Sequence, residues 1–211
     1  MSIVIIDTEY TTWPGALESN WSGPGQHREI VQIGAVRVDD DFNEQSSLDL
    51  IVRPSINFQL SELFIKLSGI QQATVDAQGL PFREALQRVT AFCDNGKATV
   101  ICMSGDGGVF HENCKLSNVP FSFFAPFHRL RPFLEQNGVD VSKYSSGDLH
   151  TLTPKPLQGH THNALHDARS MAHWLRYAKE QGIFKSVNQL PTNIPAVDPR
   201  SVRPVPRTNI K

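Results

Sequence analysis

The strongest constraint on this chain lies near its beginning, where the β-branched run of residues 2–6 stops abruptly at Asp7-Thr8-Glu9. Such a run reads as a strand buried on both faces, which requires a sheet covered on each side by other elements. Side chains alternate along a strand, so Asp7 and Glu9 share one face at its carboxyl end. Open α/β sheets hold their ligands at that end. Two aligned carboxylates repel unless a cation lies between them, and hard cations such as Mg²⁺ take oxygen ligands together with substrate phosphates. The plain alternative is a solvated strand end with an acidic turn.

The remaining pattern supplies the rest of such a sheet. A loop over residues 11–28, rich in Gly, Pro, Ser and Trp, leads to a second strand at Ile30–Val38 and a third over residues 47–53. The short separation of these two strands predicts an antiparallel meander. A short helix is expected over residues 61–67, and a stronger one over residues 81–94, with Pro at its first turn and Asn95-Gly96 as a stop. Residues 99–103 form a fourth strand, and a Gly-rich loop holding Asp106 leads into a helix over residues 109–116. The aromatic stretch 120–127 reads as strand-like core, residues 130–136 as helix and residues 139–159 as irregular. The last helix, over residues 164–181, places Ala168, Met171, Ala172, Leu175 and Ala178 on one face. Three strands, helices, a further strand and more helices predict an α/β domain with a mixed sheet over residues 1–189. Residues 190–211, Pro-rich with mostly basic charges, read as a flexible tail able to bind a protein partner.

Composition narrows the partners. A formal net charge of −1 gives no global attraction for a polyanion, so nucleic acid has to be argued from a local site. Cys93, Cys102 and Cys114 form no CxxC pair and read as buried thiols in a reducing compartment. No basic segment precedes the first apolar run, and no run approaches the roughly 20 residues of a membrane span. The expectation is a cytoplasmic protein with no membrane partner.

Two further places carry chemistry. Asp106 follows the fourth strand and could approach Asp7 from the neighbouring strand end, although a helix N-cap needs no metal. In the stretch His162-Asn163-Ala164-Leu165-His166-Asp167, five residues of helix turn through roughly 500° and would leave His162 and Asp167 about 140° apart. Gly159 and the polar residues after it place His162 on the preceding loop instead, from which it can fold back on Asp167 in the first helical turn. A zinc site of His160, His162 and His166 is the rival reading, without the accompanying ligands such sites use.

Taken in order, IIDTEYTTW, ICMSGD and HNALHDA resemble the three motifs of the DEDDh, or DnaQ-like, 3′-to-5′ exonuclease superfamily, whose fold is ribonuclease H-like. EIVQIGAVRVD and LSGI also match, and the likeness runs over residues 3–175, nearest to the branch of histone-mRNA and small-RNA 3′ exonucleases and a sporulation-inhibitor homologue. The resemblance implies hydrolysis of single-stranded RNA or DNA from a free 3′ end, releasing nucleoside 5′-monophosphates, with two Mg²⁺ ions for which Mn²⁺ can substitute. Asp7, Glu9, Asp106 and Asp167 would be the metal ligands and His162 the general base. Glu9, Tyr10, Trp13, Leu67, Ile70 and His162 would hold the terminal nucleotide, with Trp21 and Phe110 as further stacking surfaces. The second motif departs from the pattern: Met103-Ser104-Gly105 precede Asp106 and two glycines follow it, which leaves Asp106 and Glu112 as alternative ligands. Two other readings stay open, a catalytically impaired nuclease-fold protein that binds nucleic acid or a partner, and a hydrolase of small nucleotides.

Overall fold

The computed structural model describes residues 2–192, so residues 193–211, which hold most of the expected tail, lie outside the described residues. Six strands form one sheet in the order β4-β3-β2-β1-β5-β6. They are β1 (Ile3–Tyr10), β2 (Ile30–Val38), β3 (Glu44–Arg53), β4 (Leu80–Pro81), β5 (Thr99–Cys102) and β6 (Phe127–Arg129). The first three form the antiparallel meander, while β5 runs parallel to β1, β6 to β5 and β4 to β3. This is the mixed sheet expected from the sequence, and helices cover both faces.

Alternation along β1 sorts the core into two layers. Val4 and Ile6 pack with Ala85, Leu86, Val89 and Phe110 from α3 (Phe82–Phe92) and α4 (Asp106–Leu116). Ile5 packs with Leu134, Met171 and Leu175 from α5 (Arg131–Gln136) and α6 (Ala164–Glu180). A smaller cluster of Val31, Leu60, Phe64, Ile70 and Val75 seats α1 (Glu62–Ser68) and α2 (Gln72–Gln78). Among the described residues, no helix is long and apolar enough to cross a membrane.

Several elements differ from expectation for identifiable reasons. Strand β1 continues past residue 6 to Tyr10 because β2 pairs with it as far as Ile30, with a register shift between Glu9 and Tyr10. The stretch 120–127 is not a strand until β6 begins at Phe127; Phe123 and Phe127 are core and Phe121 packs against them. The amides of Phe124 and Ala125 both donate to the Gly96 carbonyl, and Pro120 and Pro126 have no donor to offer a ladder. Helix α2 carries no apolar stripe, since Val75 is its one buried residue, and no side-chain cap. A 3₁₀ helix over Ser146–Leu152 occupies part of the stretch expected to be irregular. At the far edge, Leu190 is buried, the Arg129 amide donates to the Pro191 carbonyl at 2.8 Å, and Thr192 bridges His128. The described chain therefore stays on the sheet as far as Thr192.

One contact decides where α6 begins. A Cβ added at Gly34 of β2 would lie 2.1 Å from the backbone carbon of Ala164 and from the nitrogen of Leu165, so helix and strand meet backbone to backbone. Beside it the Gln32 side chain accepts from the Ala164 amide at 3.0 Å and donates to Asp49 at 2.8 Å. Gly34→Ala should thus push α6 off the sheet and destabilise the protein by roughly 2–4 kcal/mol in urea unfolding. The control is Gly105→Ala, whose added Cβ meets nothing within 4 Å. Equal midpoints for the two variants would show that the contact imposes no constraint.

Candidate active site

Asp7 pairs across the sheet with Gly34 and Glu9 with Gln32, so both carboxylates stand on the face that α6 approaches. Thr8 points the other way and donates its hydroxyl to Asp106 Oδ1 at 2.7 Å. Asp106 is not a helix cap: α4 starts at Asp106 itself, its N-cap is Gly105, and no side-chain cap bond is made. Burial leaves Asp7 6%, Asp106 7% and Asp167 1% exposed, values rare for carboxylates without partners.

Asp167 lies in the first turn of α6, whose N-cap Asn163 accepts from the His166 amide at 3.1 Å. His162 lies outside the helix at φ +67°, a left-handed conformation that a non-glycine residue holds only under constraint from its surroundings. The loop folds back so that the His162 amide reaches Asp167 Oδ2 at 3.3 Å, and the Ser146 hydroxyl donates to the same oxygen at 3.2 Å. Gly147 has to be glycine here, because a Cβ would lie 2.4 Å from Asp167 Oδ1. Ligand atoms of Glu9, His162 and Asp167 all fall within 4.8 Å of one another. Ser146 and Gly147 carry no catalytic signature, although the Ser145-x-x-Asp148 capping box marks the start of the 3₁₀ turn that holds them.

The electrostatics are those of an anionic cluster lacking counter-charge. Burial, then the charges of Asp106, Asp167 and Glu9, holds Asp7 well above the usual carboxylate range. Burial first, then Asp167 and Asp106, pushes Glu9 up to about 8, and burial pushes Asp167 up to about 7. Asp106 is raised by burial against the lowering effect of the Thr8 hydrogen bond. None of the ion pairs among the described residues involves these four groups. Asp167 Oδ1 is buried without a hydrogen-bond partner. Hard oxygen donors, mutual repulsion and an orphaned oxygen together fit a divalent cation such as Mg²⁺ or Mn²⁺. Burial lowers the pKa of His162, so its imidazole is neutral near pH 7.

These groups sit in a cleft of about 600 Å³, whose wall includes Tyr10, Trp13, Leu63, Phe64 and Leu67. Ile70 does not reach it and packs instead beside Phe64 and Val75, where it is 7% exposed. Leu63 takes that place, one turn of α1 before Leu67, a spacing that points to it. Phe110 is fully buried, 5.3 Å from the Phe123 ring, and offers no stacking face. Trp21 lines the rim, edge-on to Tyr10 at 5.4 Å, with the Arg28 guanidinium 5.5 Å above its ring. Glu112 is taken by Arg28, whose Nε donates to it at 2.9 Å, which removes it as a substitute ligand. The three histidines of the zinc reading separate: His160 meets the Leu67 carbonyl at 3.1 Å and His166 stacks edge-on with His150 at 5.2 Å.

A family model described as an exonuclease, RNase T, matches residues 4–175 of the chain. No curated protein sequence matches. The chain is similar in structure to a 3′-exonuclease described in specific recognition of the histone mRNA stem-loop, with a TM-score of 0.73 at 23% identity over 93% of this chain and 72% of that one. It is similar to the nuclease domain of 3′hExo, a DEDDh family member bound to rAMP, with a TM-score of 0.72 at 23% identity over 92% and 96%. Exonuclease I of E. coli in complex with a dA16 oligonucleotide aligns with a TM-score of 0.62 at 13% identity, over 85% of this chain and 41% of that one.

Raised carboxylate pKa values mean that the folded state prefers the protonated cluster, so ionisation costs stability. Without cations, stability should fall as pH rises from the ordinary carboxylate range near 4 through about 7 to 8, where Asp167 and Glu9 ionise in the folded state. Mg²⁺ or Mn²⁺ should raise Tm far more at pH 8 than at pH 5, and Asp167→Asn should stabilise the metal-free protein at pH 8 by roughly 1–3 kcal/mol. Thermal melts with and without EDTA test this, and a cation effect independent of pH would contradict it.

Proposed function

The chain belongs to the RNase T exonuclease family and has the ribonuclease H-like fold, and from that premise we propose that it is a DEDDh-type, metal-dependent 3′-to-5′ exonuclease of single-stranded RNA or DNA, releasing nucleoside 5′-monophosphates. The observation that carries the reading is the convergence of Asp7, Glu9, Asp106 and Asp167 from three elements, unpaired with any base, beside His162 in one cleft. The alternative of an impaired binding module drew on the altered second motif. The seating of Asp106 on Thr8 favours the enzyme instead.

Asp7, Glu9, Asp106 and Asp167 would hold two Mg²⁺ ions, with Mn²⁺ able to substitute. Bound there, the cations supply activation of the attacking water and neutralisation of charge on the leaving 3′ oxygen. His162, neutral and half-buried at the cleft, takes the proton from the attacking water. The loop conformation at φ +67° aims its ring, and its own amide ties that loop to Asp167. Ser146 donates to the same carboxylate oxygen and helps to orient it. Glu9 and the backbone at Tyr10 hold the terminal ribose, while Trp13 and Leu67 enclose its base with Leu63. The ligands named for the similar structures, rAMP, a histone mRNA stem-loop and dA16, agree with this substrate class.

Purified protein with Mg²⁺ or Mn²⁺ should degrade 5′-labelled single-stranded RNA or DNA progressively from the 3′ end, and EDTA or Asp7→Ala should abolish the ladder. His162→Ala should lower kcat by roughly 10²–10⁴-fold while keeping the cation-induced rise in Tm. His162→Gly should lose activity equally yet hold or gain stability by roughly 0.5–1 kcal/mol, because glycine adopts the positive φ without strain. Metal-independent cleavage, or none on any substrate, would sink the proposal.

A further inference from the structure

The lining of the cleft divides into two unlike arms by the elements that supply it, and only one is accounted for by a terminal nucleotide. One arm is Tyr10, Trp13, Leu63 and Leu67, from the end of β1, the loop after it and α1, an aromatic and aliphatic surface suited to a base. The other is Met103, Gly105 and Arg131, which follow β5 and β6 on the side of β1 away from β2, together with Ser145 and Ser146. Space is open at Gly105, where an added Cβ would meet nothing within 4 Å, so a chain backbone can pass close to it. The serine hydroxyls of this arm are committed, Ser146 to Asp167 and Ser145 to Asp148.

Two arginines line the cleft and differ in how they are used. Arg28 is neutralised by Glu112, with Nε donating at 2.9 Å, and lies over Trp21. Arg131 forms none of the side-chain hydrogen bonds or ion pairs found among the described residues, although it is half-buried. It is not spent on the cluster either, since it is absent from the principal influences on Asp7, Glu9, Asp106 and Asp167. A cation kept half out of water yet unpaired is costly unless an anion completes the site. Its backbone is fixed, with the Arg131 amide donating to the Met103 carbonyl at 2.9 Å at the end of β5, so its stem starts from a rigid point beside Asp106.

We propose that Arg131 binds a phosphate of the strand lying 5′ to the scissile bond, and so makes the enzyme favour oligonucleotides over substrates with a single phosphate. This rests on the exonuclease reading. It adds that the polar arm is a backbone track, which distinguishes a polynucleotide exonuclease from a hydrolase of small nucleotides.

The test compares the wild type with Arg131→Gln and Arg131→Lys on two substrates, an oligonucleotide of roughly a dozen residues and a nucleoside 5′-(p-nitrophenyl phosphate). Arg131→Gln should raise KM for the oligonucleotide about tenfold with kcat within about twofold, and leave hydrolysis of the small ester unchanged. It should also reduce the slope of log affinity against log salt by about 0.7, the share of one phosphate on a single strand. Arg131→Lys should recover most of the affinity. An equal change on both substrates, or an unchanged salt slope, overturns the assignment. Wild-type protein that cleaves neither substrate overturns the exonuclease reading instead. Fluorescence-anisotropy binding of the oligonucleotide in Ca²⁺ then still reads Arg131: loss of affinity in Arg131→Gln supports the track, and unchanged affinity refutes it.

Discussion

Everything at the site depends on how closely α6 can approach the sheet. Gly34 lets the helix backbone touch β2, and Gln32 beside it takes the first free amide of α6. Because Gly34 stands opposite Asp7 and Gln32 opposite Glu9, the residues that admit the helix are the cross-strand partners of the residues it must reach. Asp167, in the first turn, is carried to its position by that register. A side chain at Gly34 would open a gap of the order of a methyl group, enough to take an oxygen ligand out of reach of a shared ion.

The cluster is assembled against its own electrostatics. Four carboxylates are held together although burial raises the pKa of each and the charges of their neighbours raise those of Asp7 and Glu9 further. The cost is met elsewhere, by two apolar layers on the faces of the sheet and by hydrogen bonds that serve one carboxylate at a time. The same frustration is what leaves the carboxylates open to a cation, because a partner of the opposite charge supplied by the protein would have satisfied them.

Much of this was legible in the sequence because it depends on local periodicity. Alternation alone puts Asp7 and Glu9 on one face, and the angular argument that excludes His162 from the helix agrees with its left-handed backbone just before Asn163. The apolar face of α6 was equally plain, with Met171 and Leu175 fully buried. What was hidden depends on distant pairs. Glu112 looked free until Arg28, far along the chain, was found beside it, and Ile70 looked like a cleft residue until α2 turned it inward. Ser146 and Gly147 matter through space left and a single hydroxyl, and neither carries a catalytic signature. Phe121, Phe123 and Phe127 show the limit from the other side, since apolar content places side chains at the core without saying how the backbone runs.

The two margins of the sheet are finished differently. At one, β4 is only two residues long and ends in Pro81, which presents no donor to a neighbouring chain. At the other, Pro191 and Thr192 lie along β6, accepting from Arg129 and bridging His128. Without that cover, the outer row of polar groups on β6 would be a template for strand pairing between molecules. The segment at Pro191 and Thr192 therefore bears on solubility: it covers an edge that would otherwise invite self-association.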